Sequence, residues 1–255
     1  MKRGATLLVL LTALAGGAVH ALDLLYATDP ATGFVTAGPL WGRYAALWGI
    51  LLLCLLAAQL LAPRQPAVLQ CRSLPMGLAG LLAGAAFAAA AGAGWMQGGA
   101  GLEKLLVLLQ LCGAVWLLAS AFKRMSSWSA APTASAVWGI LASLSLYLFT
   151  MMRFGSKPSG LVRMAPTVGV LSALMGLLFF TALVRASYLP EADCGRSLYF
   201  TGTGAFFLCT CMEFPQTLIL GRCTIAQLLS SAALAVLGLL GAVCALTLCR
   251  PEPEP

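Results

Sequence analysis

Apolar residues along this chain gather into eight stretches, parted by short polar breaks, that fill nearly all of its 255 positions. A bilayer's hydrocarbon core is about 30 Å thick and an α-helix rises about 1.5 Å per residue, so about 20 apolar residues cross it once. The stretches fall at residues 6–26, 40–61, 74–96, 102–122, 132–152, 166–188, 198–220 and 224–248, which predicts eight crossings. A backbone surrounded by lipid must satisfy its own N–H and C=O groups, and the alternating pattern of a membrane β-barrel is absent from the sequence. The predicted fold class is therefore all-α: a polytopic transmembrane helix bundle. Residues 1–250 read as a single transmembrane domain. The proline-locked, acidic segment 251–255 reads as a disordered cytoplasmic tail.

Two stretches carry further information. In the first, Lys2 and Arg3 precede an apolar run that reaches Val19-His20-Ala21, the outline of a signal peptide cleaved after Ala21. The run continues through Leu22, Leu24, Leu25 and Tyr26, long enough to span, so an uncleaved first helix is expected; cleavage would leave seven spans. In the third, Gly80, Gly84, Ala88 and Gly92 recur every four residues. That spacing lays a groove along one face into which another helix fits closely, and it predicts a protein-surrounded position.

Composition agrees with the pattern: 60% of residues are hydrophobic and only 9% charged, with a mean hydropathy of +0.93. A soluble domain carries about a quarter charged residues. The connections are too short to hold a folded soluble domain, so any site lies among the helices or on short loops. A net charge of +7 suggests nucleic acid in a soluble protein, but here the basic residues sit one to three at a time beside helix ends. There they orient helices and meet anionic lipid, so the bilayer and not nucleic acid is the expected partner.

With both termini cytoplasmic, nine basic residues fall inside and six outside: Arg43, Lys104, Arg153, Lys157, Arg163 and Arg222. This is the orientation that the positive-inside rule selects, with Arg153, Lys157 and Arg163 as the exception to it. Trp41, Tyr44, Trp95, Trp128, Tyr188 and Tyr199 lie near span ends, where aromatic rings favour the headgroup layer.

Ionisable groups inside a membrane are costly and mark function or pairing. Glu213 is the leading candidate, because it sits within the seventh span and Pro215 follows. Proline at 215 leaves the Cys211 carbonyl without its helical donor, and a carboxylate beside a broken helix is how many transporters build a cation or proton site. His20 and Asp23, three apart on one helical face, join Glu213 and Arg43 in the same half of the membrane. The four either line one polar pocket or neutralise one another, with Glu213 pairing to Arg43 or Arg222. The trio Arg153, Lys157 and Arg163 is a candidate contact for anionic headgroups, or an ordinary set of interfacial cations.

Other chemistry lacks its residues. Nine cysteines form no CxxC pair and lie mostly in apolar spans, where they serve as small buried hydrophobes. The chain has a single histidine, no HExxH and no GxxxxGK[ST], so neither a histidine-based zinc site nor a P-loop is expected. Thr201-Gly202-Thr203-Gly204 matches a potassium filter only superficially, without the pore-helix context. Asp29-Pro30-Ala31-Thr32-Gly33 is turn chemistry, with Gly33 placed for positive φ. No cofactor and no enzymatic activity are expected.

Asp29-Pro30-Ala31-Thr32-Gly33-Phe34 and the stretch from Arg185 to Pro215, with Cys209-Thr210-Cys211-Met212-Glu213-Phe214-Pro215, resemble uncharacterised multi-spanning membrane proteins of Gram-positive anaerobic bacteria. The resemblance implies a bacterial plasma membrane and brings no activity with it. Two functions fit the sequence: a small transporter or permease-like subunit, and a non-transporting sensor, assembly factor or scaffold. The second would bind another membrane protein, or a second copy of the chain, through its small-residue helix faces and charged loops.

Overall fold

Eight helical spans, each long and apolar enough to cross a bilayer, run through the computed structural model. It describes residues 2–29, 32–66, 72–98, 101–126, 135–156, 163–189, 191–221 and 223–249. Trp128, Lys157, Arg222 and the 251–255 tail lie outside the described residues. The first six spans are single helices: α1 (Lys2–Tyr26), α2 (Leu40–Leu61), α3 (Leu74–Met96), α4 (Leu102–Met125), α5 (Ala136–Ser156) and α6 (Met164–Tyr188). The seventh divides into α7 (Gly195–Ala205), a π-helix (Phe206–Glu213) and α8 (Phe214–Leu220), and the eighth is α9 (Ile225–Leu248). The chain is thus an all-α multi-pass membrane protein.

Burial separates the centre of the bundle from its rim. In its most apolar window α9 is 72% buried, whereas the corresponding figure for α5 is 22%. α9 packs against α3, α7, the π-helix and α6, while α3, α4, α5 and α6 follow one another as neighbours. Trp116, Phe179, Phe180, Tyr199 and Phe207 fill the interior. Close approach depends on glycine where α7 meets α9: a Cβ on Gly202 would lie 2.8 Å from the Gly241 carbonyl oxygen. At Gly80 and Gly84 the groove of α3 is occupied by the chain's own α4, since a Cβ on Gly84 would lie 2.7 Å from Leu118 Cγ and one on Gly80 3.1 Å from Ala121, whereas nothing packs against Gly92.

Thr6 Oγ1 lies 3.3 Å from Cys249 Sγ, which puts the beginning of α1 and the end of α9 at one end of the bundle. The opposite end carries the α1–α2 connection. There Thr36 donates its N–H to the Ala27 carbonyl (2.9 Å), and Gly33 takes the positive φ expected of it, 71°. Thr32 Oγ1 donates to Asp29 at 2.6 Å.

Three local expectations change. Tyr199 is not an interfacial anchor: it is fully buried, and its hydroxyl donates to Thr6 Oγ1 at 3.1 Å. α5 ends at Ser156 rather than at residue 152, because Arg153 belongs to its last turn and is held there by partners on α6 and the π-helix. The break expected at Pro215 takes the form of a π-helix. Proline has no N–H for the i−4 carbonyl and its ring crowds that oxygen, and the preceding turns widen to i−5 pairing, with Phe214 N–H donating to Cys209 O.

Candidate functional site

The widened turns place Glu213 at the last residue of the π-helix, pointed between α5, α6 and α9. Its side chain is only 3% exposed, and each carboxylate oxygen has assigned partners. Oε1 forms an ion pair with Arg153 Nη2 at 2.5 Å and accepts from Ser231 Oγ at 3.1 Å. Oε2 accepts a short hydrogen bond from Ser172 Oγ. The three partners come from three different helices. A buried carboxylate is tolerable in an apolar bundle only when paired and hydrogen-bonded in this way.

Arg153 is anchored on its other side by α6. Its Nη1 donates to the Gly169 carbonyl at 2.8 Å, and its guanidinium carbon lies 4.3 Å from the centre of the Phe149 ring. Phe149 is one turn earlier on α5, so ring and cation share a helical face. Ser172 is also within reach of a second acceptor, the Gly169 carbonyl, at 3.0 Å. Arg153 is therefore built into the bundle, where the sequence had placed it on an external basic loop.

Threonine hydroxyls flank the π-helix and tie it to α9. Thr217 Oγ1 donates to the Glu213 carbonyl at 2.9 Å, Thr210 Oγ1 donates to Ala235 O at 2.7 Å, and Thr217 Oγ1 lies 3.3 Å from Ser231 Oγ.

One turn past Glu213, Gln216 connects the site to α1: its Oε1 lies 3.3 Å from His20 Nε2, and its Nε2 donates to Ala165 O at 3.0 Å. His20 is 6% exposed. Gly17, on the same face of α1, lies against the Cys211 backbone, where a side chain would collide. Asp23 pairs with Arg43 Nη2 at 2.5 Å, and the same nitrogen donates to Ala37 O at 2.7 Å, so this pair fastens the α1–α2 connection.

The residues singled out in the sequence thus divide into separate groups. Glu213 joins Arg153 and not Arg43; the alternative partner, Arg222, lies outside the described residues. Asp23 joins Arg43. His20 joins neither pair and meets Gln216 instead. Arg163 is separated from Arg153, with its guanidinium carbon 4.3 Å from the centre of the Phe34 ring, and Lys157 is outside the described residues. Ser172, Ser231, Gln216 and Phe149 escaped sequence reasoning. Serines in apolar helices carry little signal by themselves, although Ser172 and Ser231 interrupt runs that are otherwise apolar. Among the described residues no group of three or more His, Cys, Asp and Glu side chains is arranged to hold a metal ion. No protein-family model matches this chain, and neither a curated protein nor a solved structure is found that matches it.

Proposed function

We propose that this protein is a small proton-coupled transporter of a bacterial plasma membrane, with Glu213 as its proton-carrying residue. The observation that carries the reading is the buried Arg153–Glu213 pair at the break of the seventh span, at 2.5 Å. A buried ion pair is a poor stabiliser compared with apolar residues of the same volume, so stability alone does not account for it. Ionisable residues within a membrane mark ion and proton pathways, π-helical turns concentrate at functional sites, and broken helices form transporter binding sites near the midplane.

The orientation proposed with it, Lys2 and Leu248 toward the cytoplasm, rests on nine basic residues on that side against six on the other. The scaffold reading drew on small-residue helix faces and charged loops; at Gly80 and Gly84 the face of α3 is taken up by α4, while Gly92 farther along it has nothing packed on it.

The test is solute-driven proton movement in proteoliposomes, reported by a pH-sensitive dye inside, with a panel of small solutes applied outside. Wild-type protein should move protons with at least one solute, and folded Glu213→Gln should move none. Flux that persists in the variant removes Glu213 from the mechanism. A wild type that is silent throughout, and co-purifies with a stoichiometric protein partner, makes this chain a subunit or scaffold instead.

A further inference from the structure

Resting on the reading of Glu213 as the working residue, we propose that the α1–α2 connection is a strap across one end of the bundle, latched by Phe34 on Arg163, and that its release opens the way toward Glu213. Phe34, with the turn that precedes it, and Arg163 both stand out in the sequence, and neither has a part in the Glu213 site itself.

The strap is built as one piece. Thr28 and Val35 form an antiparallel bridge, and the N–H groups of Thr36 and Asp29 donate to Ala27 O and Phe34 O, both at 2.9 Å. Such bonds hold the two sides of the turn to each other, so they move together. On one side the strap is covalently continuous with α1 and α2, where Arg43 Nη2 bonds both Asp23 and the Ala37 carbonyl. On the α6 side the hold is of a weaker kind. The Arg163 guanidinium carbon lies 4.3 Å from the centre of the Phe34 ring, Phe34 is 42% exposed, and Arg163 Nε has no hydrogen-bond partner among the described residues. A cation–π contact at an exposed site shifts an equilibrium about two- to fivefold. The side of the strap that lets go is therefore the one on α6.

What lies beneath follows from register. Arg163 stands at the N-cap of α6, and Ala165, two residues on, accepts from Gln216 Nε2. Ser172, which bonds Glu213, lies about 13 Å farther along the same helix than Arg163. On α1, His20 lies about 10 Å below Ala27 and meets the other end of the Gln216 amide. The strap thus runs from the end of α1 to the start of α6, and one level below it Gln216 joins the same two helices. Glu213 is one turn deeper. His20 and Gln216 are only 6% and 7% exposed, so the end is closed with Phe34 in place. Lifting Phe34 from Arg163 bares the Gln216 level while the bonds of Glu213 itself stay made, as expected of a loop that gates a site.

His20 is the single histidine of the chain, which makes it the reporter. The detergent-solubilised full chain is treated with diethyl pyrocarbonate, and modification of His20 is timed by mass spectrometry of its peptide. Phe34→Ala should speed the wild-type rate about two- to fivefold. Arg163→Gln should do the same and the double variant no more, because each change removes one and the same contact. Cys244, fully buried toward the opposite end of the bundle, should react with a maleimide at the wild-type rate throughout. An unchanged His20 rate in the single variants, effects that add in the double variant, or equal acceleration at Cys244 overturns the strap. Faster His20 modification in a chain that moves no protons in proteoliposomes upholds the strap and refutes the transporter. Proton flux with His20 rates unchanged keeps the transporter and refutes the strap.

Discussion

Glu213 and Asp23 are both acids paired to an arginine at 2.5 Å, yet their surroundings assign them different tasks. The Asp23–Arg43 pair lies at the mouth of the bundle, with side chains 23% and 11% exposed, and it ties down a loop. Arg43 keeps the Ala37 carbonyl when Asp23 is neutralised, so Asp23→Asn should lower stability to unfolding in detergent by about 1 kcal/mol or less. Ser172→Ala removes the donor to Glu213 Oε2 inside the bundle. A buried charged acceptor left without its donor costs about 1–3 kcal/mol, and denaturant unfolding of the variant should show a loss of that size. Equal effects of the two substitutions would mean that the inner site is no more demanding than the outer pair. The residue scale also shows what the sequence hid: Glu213 stood out because a carboxylate between Met212 and Phe214 is conspicuous, but its arginine lay beyond the boundary drawn for the fifth span.

At the scale of elements, the seventh span is the one whose winding changes, and the cause is a residue two positions beyond the carboxylate. Pro215 forbids the i−4 bond to Cys211 O, and the preceding eight residues, Phe206–Glu213, adopt the π form. Pro215→Ala restores the missing N–H and lets this segment tighten toward α-helix, turning Glu213 away from Arg153. The expected result is slower hydrogen exchange in residues 206–214 and reduced proton flux, with thermal stability unchanged or raised. Unchanged flux in a variant whose exchange has slowed would show that the π winding does not position the carboxylate. Proline was legible in the sequence. The extent of the widened segment was not, because it depends on Thr210 bonding α9 and on α1 lying against Cys211 through Gly17.

Taken as a whole, the molecule closes most of its small-residue faces upon itself, leaving Gly92 on α3 open. Gly77, Gly80 and Gly84 on α3 receive α4, and Gly202 and Gly241 bring α7 and α9 together. Gly84→Leu would drive a side chain into Leu118 and the Ala114 carbonyl, and overpacking of this kind costs about 1–3 kcal/mol. The variant should therefore melt earlier while its co-purifying proteins stay the same. Loss of a specific membrane-protein partner at unchanged melting temperature would return the scaffold reading to first place. Glu213, meanwhile, draws on α5, α6 and α9, so any rearrangement of the site has to move whole helices relative to one another.

The sequence by itself determined the number of spans, the all-α class and the acid on which the site is centred. These follow from terms that act one residue or one stretch at a time: the thickness of the bilayer, the need to pair backbone groups in lipid, and the cost of a charge there. It also marked α3 as a helix made for close packing, since a four-residue period of small side chains is a local property. Only the tertiary structure decided which helix fills that groove, that Tyr199 is interior rather than interfacial, and that Arg153 is the partner of Glu213. Each of these is a meeting of residues far apart along the chain, settled by how the eight spans pack together. Uniformly apolar spans carry little pattern from which that packing can be read.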